Sequence, residues 1–66
     1  MNVIVNGEKK EIPAGADLEV LIKHLSLPSK RIAIELNKEV VRRRDWEAIK
    51  LNEADKIEVV HFVGGG

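Results

Sequence analysis

The stretch Met1-Asn2-Val3-Ile4-Val5-Asn6-Gly7-Glu8-Lys9-Lys10-Glu11-Ile12 decides the fold, because its centre encodes a turn with few geometric alternatives. Asn6-Gly7 separates a β-branched run from a polar run that ends in Ile12. A two-residue type I′ turn needs φ > 0 at both central positions, which Asn tolerates and Gly accepts freely. The chain therefore begins as a β-hairpin. Val3-Ile4-Val5 is apolar at successive positions rather than at alternate ones, and Val59-Val60 near the other end repeats the pattern. Continuous apolar runs read as strands covered on both faces, which places these two side by side at the sheet centre, an arrangement open to a parallel pair.

A parallel pair needs a crossover, and the chain after the hairpin supplies one. Pro13 has no N–H to give a ladder, so the second strand stops there, and Ala14-Gly15-Ala16 leads to Asp17 as a helix N-cap with Glu19 in the first turn. Leu18, Leu21, Ile22 and Leu25 follow on one helical stripe, and Pro28 is read as the end of the helix. Ile32 to Leu36 alternates at period two, Asn37-Lys38 is a second tight turn, and Glu39-Val40-Val41 returns as a short strand. Asp45 is placed to cap a single turn through Trp46, Glu47, Ala48 and Ile49, and Lys56 to Val63 is the last strand. The pattern predicts an α+β fold in which one main helix packs across one face of a mixed sheet of four to five strands: the β-grasp, or ubiquitin-like, arrangement. Residues 1–63 form the domain and 64–66 a tail.

Composition limits what such a chain does. With 66 residues, 44% hydrophobic and 33% charged, it supports one small core and leaves little chain for a substrate cleft, so it reads as a protein handled by enzymes rather than as one. The lack of Cys excludes disulfides, thiolate zinc sites and Cys nucleophiles. Eleven Lys+Arg against eleven Asp+Glu give a formal net charge of +0, which supplies no overall drive toward nucleic acid or an anionic membrane. The apolar stretches fall far short of the roughly 20 residues of a spanning helix, and the start lacks the basic segment of a secretory signal. A soluble, cytoplasmic protein is expected.

The most specific signal is the ending Val63-Gly64-Gly65-Gly66. Glycine loses the most backbone entropy on ordering, so a terminal run of it contributes nothing to a fold. What it offers is reach: a carboxylate on an arm without side chains enters a narrow active site and presents an unhindered carbonyl. A free carboxylate is a poor electrophile, so the expected chemistry is conversion to an acyl-adenylate by a partner that uses ATP and Mg²⁺, followed by attack on the activated carbonyl. The chain itself binds no cofactor in this reading. Gly66 and Gly65 carry the reaction.

In this frame the chain resembles the ThiS family, the sulfur carriers of thiamine thiazole biosynthesis. The resemblance rests on Val5-Asn6-Gly7, Pro13-Ala14-Gly15, Ile34-Glu35-Leu36-Asn37 with Val40-Val41, Arg44-Asp45-Trp46, Asp55-Lys56-Ile57-Glu58-Val59-Val60 and the terminal glycines. Two positions depart from the family pattern: Lys38 stands where Gly is common, and Asn52-Glu53-Ala54-Asp55 lacks the usual Gly before the Asp. Both concern turns. The resemblance implies an adenylyltransferase of the ubiquitin-activating type as partner, a sulfur donor such as a cysteine desulfurase, a thiocarboxylate at Gly66, and thiazole synthase as acceptor. The small subunit of molybdopterin synthase shares the fold and a Gly-Gly end, and is the nearest alternative. A ubiquitin-like modifier conjugated to lysines and a plain interaction domain are the others.

Val60 and Phe62 point to the face of the last strand away from the helix, and Ile4 on the first strand is expected to join them in an exposed apolar patch. Together with Gly64 this patch is the expected partner-binding surface. Arg42-Arg43-Arg44 reads as a solvated charge run, and Trp46 as a cover for one end of the sheet. His24 and His61 are isolated, so no metal site is expected. No nucleophile, base and orienting group can be assembled.

Overall fold

A computed structural model of the protein describes residues 1–62. Its elements run in the order β1 (Asn2–Val5), β2 (Glu8–Glu11), α1 (Leu18–His24), β3 (Ile32–Leu36), β4 (Glu39–Val41), a 3₁₀ helix (Arg43–Ala48) and β5 (Lys56–His61). The expected hairpin is present: Asn6 and Gly7 take φ of 50° and 82°, and β1 and β2 pair antiparallel with Val5 opposite Glu8. Five strands lie in the order β2-β1-β5-β3-β4. β5 is central, parallel to β1 and antiparallel to β3.

Register fixes the faces. Val5 is level with Ile57, and Ile34 with Val59, so Val3, Val5, Ile34, Ile57 and Val59 share one face and are buried in a single core with Leu18, Leu21 and Ile22 of α1. The other face is open. Ile4, Glu58, Val60, Ala33, Glu35 and Val40 alternate onto it, and Val60 and Val40 are 51% and 72% exposed. The continuous apolar runs of β1 and β5 thus do not reflect cover on both faces, although the central parallel pairing inferred from them is present.

α1 stops before the expected Pro28. Its first turn is capped as anticipated, with the Asp17 carboxylate accepting from the Val20 N–H at 2.8 Å. At the other end Ser26 turns to φ 55°, and the N–H groups of Ser26 and Leu27 donate to the carbonyls of Lys23 and Ile22 at 3.1 and 3.0 Å. These two bonds form a Schellman motif with Ser in the place usually held by Gly, so the last carbonyls are satisfied three residues ahead of the proline. Leu25 sits at the cap and is half-buried.

The segment after β4 also differs. Asp45 lies inside the 3₁₀ helix rather than capping it, its N–H donating to the Arg42 carbonyl at 2.9 Å. Trp46 is a core residue, 1% exposed, and its Nε1–H donates to the Val41 carbonyl at 3.1 Å. Arg43 lies over the indole with its guanidinium carbon 4.5 Å from the ring centre, and donates to the Ser29 carbonyl. The arginine run is exposed as expected, and one member also has a structural part, since Arg43 covers the indole and ties two loops together. No helix among the described residues is long and apolar enough to cross a membrane.

Candidate functional site

The residues expected to carry chemistry, Gly65 and Gly66, and the neighbouring Gly64 and Val63 lie outside the described residues. What the structure describes is the root from which they extend: the end of β5 and its surroundings.

Three sets of hydrogen bonds hold β5 along its length. At its start the Asn37 N–H donates to the Lys56 carbonyl at 2.7 Å, and the Asn37 Oδ1 accepts from the Lys56 N–H at 3.0 Å. Asn37 Nδ2 also donates to Asp55 Oδ1 at 3.2 Å, and Asp55 Oδ2 accepts from the Asn52 N–H at 2.8 Å. In the middle the Asn6 N–H donates to the Ile57 carbonyl at 2.9 Å, and the Asn6 carboxamide bonds both polar groups of Val59. At the far end the Phe62 N–H donates to the Arg31 carbonyl at 3.0 Å, with Arg31 at φ 59°. Both hairpin asparagines thus act twice, once by adopting positive φ and once by reaching β5. The Asn-Gly signal revealed the first role. The second links residues 53 apart in the chain for Asn6 and 19 apart for Asn37, and has no local signature.

The open face around this root is not the patch expected from the sequence. Val60 and Phe62 are exposed, at 51% and 53%, and Val60 is level with Ala33. Ile4, however, is level with Lys56 and Lys9, and is half-buried. Four residue steps, about 13 Å, separate that level from Val60. Ile4 therefore does not adjoin Val60 and Phe62. Between them stands Glu58, directly opposite Glu35, with Val40 beyond Glu35 on β4. The surface near the root is apolar at Val60, Phe62 and Ala33, and acidic one rung further in.

Among the described residues no group of three or more His, Cys, Asp or Glu could hold a metal ion. His24 lines a shallow depression with Met1, Glu11, Ile12, Pro13 and Ala14 at the opposite end of α1 from its cap. His61 is exposed at the end of β5.

A central strand that is antiparallel to one neighbour and parallel to the other, with a helix on one face and the C-terminus leading off that strand, defines the β-grasp class. The ThiS family model matches residues 3–66. A thiazole synthase of Magnetococcus marinus is 46% identical over 66 residues, covering 100% of this chain and 20% of that protein. The chain thus spans about one fifth of the length of that relative. The sulfur carrier protein ThiS of Bacillus subtilis is 37% identical over 49 residues, 74% of each chain. A crystal structure of the thiamine biosynthesis protein ThiS from Geobacter metallireducens superposes with a TM-score of 0.87 at 29% identity, covering 100% of both chains. The chain belongs to the ThiS family.

Proposed function

We propose that the chain is a sulfur carrier of thiamine biosynthesis whose C-terminal carboxylate, at Gly66, is the reacting group. The reading is supported above all by the family match, which runs through residue 66 and so takes in the glycine arm as well as the domain. In this reading a partner adenylyltransferase of the ubiquitin-activating type, with ATP and Mg²⁺, lets a Gly66 carboxylate oxygen attack the α-phosphorus, releasing pyrophosphate and leaving an acyl-adenylate. A sulfur nucleophile then adds to the carbonyl and AMP departs. Where the donor is a persulfide, as from a cysteine desulfurase, the product is an acyl disulfide, which a thiol reductant cleaves to the thiocarboxylate. The chain is a cosubstrate in both steps, not a catalyst.

The thiocarboxylate is then the sulfur source for a thiazole synthase. That partner is supported by the Magnetococcus relative, a thiazole synthase with a region like this chain within its own length. Val60 and Phe62 supply apolar docking area next to the arm, with Gly64 and Gly65 entering the active site, while Ile4 stands further along the same face, four residue steps from Val60. The proposed location is the cytoplasm.

Intact-mass analysis of the protein isolated from its own cells tests the reading. The expected species carries one oxygen-to-sulfur exchange at the C-terminus. A ladder of isopeptide-linked conjugates would instead identify a protein modifier. Removal of Gly65 and Gly66 is expected to leave thermal stability unchanged and to abolish adenylation; an adenylated truncated chain would overturn the assignment.

A further inference from the structure

The two strands at the heart of the sheet differ in length. β1 ends at Val5, level with Ile57, whereas β5 continues to His61. In a parallel ladder the main chain of β1 supplies the next rung, the Asn6 carbonyl accepting from the Val59 N–H. Here the main chain turns away into the hairpin at Asn6, φ 50°, and its side chain takes over. Asn6 Oδ1 accepts from the Val59 N–H at 2.7 Å and Asn6 Nδ2 donates to the Val59 carbonyl at 3.2 Å. The carboxamide stands in for a peptide group, and it carries the β1 flank of β5 two residues beyond β1 itself. On the opposite flank the Arg31 carbonyl holds the Phe62 N–H at 3.0 Å. On the β1 flank Asn6 thus holds Val59, while on the β3 flank the pairing of Val59 to His61 and the Phe62 N–H bond to Arg31 hold the end of the strand, with Val60 on the open face and Phe62 exposed just beyond it.

We propose that Asn6 is a positioning residue for the carrier reaction: it fixes the course of β5 at Val59, so that an activating partner receives Val60 and Phe62 already aligned. The inference rests on the carrier reading given above. Without the rung, the end of β5 loses the grip on one flank, and the partner must order it on docking, at a cost in conformational entropy. That cost falls on binding. The reacting carboxylate lies seven residues past Val59, and its chemistry is untouched.

The discriminating variant is Asn6→Gly, which keeps a residue at ease with φ > 0 and removes only the carboxamide. Steady-state exchange of radiolabelled pyrophosphate into ATP, with the cognate adenylyltransferase and the full chain as substrate, is expected to show KM for the chain raised about tenfold, in keeping with the loss of two hydrogen bonds. The kcat is expected to stay within about twofold, the mark of a binding effect rather than a chemical one. Amide hydrogen exchange should accelerate at Val59, whose N–H loses its acceptor, while Leu21 and Ile34 keep their protection. Asn6→Asp retains the acceptor for the Val59 N–H but not the donor, and its KM should fall between the two. If the wild-type chain is adenylated and both variants match its KM, the positioning role is overturned and the carrier reading stands. If Asn6→Gly loses protection at Leu21 and Ile34 as well, Asn6→Asp decides, and an unchanged KM there overturns the role too. If the wild-type chain is not adenylated, the carrier reading falls and takes the inference with it.

Discussion

Among the described residues six that are not glycine adopt positive φ: Asn6, Ser26, Arg31, Asn37, Lys38 and Ala54. For the asparagines the conformation is nearly free, and their carboxamides recover energy by bonding Val59 and Lys56. Ala54 and Lys38 have no such return. They take φ of 70° and 75° in two turns where no glycine stands, so these positions store backbone strain. At Ala54 the conformation serves a purpose, since its N–H donates to the Asn2 carbonyl at 2.7 Å and ties the turn before β5 to β1. Ala54→Gly should relieve about 1 to 2 kcal/mol of steric cost while losing about 0.5 to 1 kcal/mol of chain entropy. The expected net gain is about 0.5 to 1 kcal/mol, a rise of roughly 2 to 8 °C in Tm for a domain of this size. Thermal denaturation of the full chain checks it, and an unchanged or lower Tm would show that the turn holds no strain.

At the scale of elements, α1 has only seven residues, too short to be stable except by its packing and its caps. The Asp17 cap is worth about 1 kcal/mol by general experience. Asp17→Ala should therefore lower the urea midpoint by a corresponding amount, while Asp17→Asn, which still accepts from the Val20 N–H, should leave it nearly unchanged. Equal losses in both would assign the effect to the charge near the helix N-terminus instead. This cap was legible in the sequence because a capping carboxylate and its N–H partner are three residues apart. The other end was not, for Pro28 is the conspicuous breaker and Ser26 is an unusual residue for a left-handed cap. Likewise Asp45 carries the composition of a cap, yet the 3₁₀ helix begins two residues before it, where Arg43 lies over the indole of Trp46. Contacts across loops, such as Arg43 to Ser29, leave no periodicity to read.

For the whole molecule, the apolar runs of the first and last strands point to their central pairing although one face of both is open, and the parallel pairing itself restricts the topology to very few forms. The placement of the open-face residues needed the register: Ile4 and Val60 alternate onto the same face, but only the pairing of Ile4 with Lys56 shows how far apart they stand. The proposed docking surface therefore centres on Val60 and Phe62, the exposed apolar residues at the end of β5. Phe62→Asp, at a position 53% exposed, should leave Tm within a degree or so and weaken binding to the activating partner about tenfold or more by calorimetry, as for loss of an aromatic anchor. Unchanged affinity would remove this face from the interaction. The strand order carries a further consequence for how the molecule is made. In β2-β1-β5-β3-β4, only β5 joins the two hairpins into one sheet. While the polypeptide emerges from the ribosome, β1-β2 and β3-β4 exist as two unconnected halves, and neither has a finished core. Closure of the sheet, and of the core beneath it, therefore waits for β5, the last of the five strands in chain order.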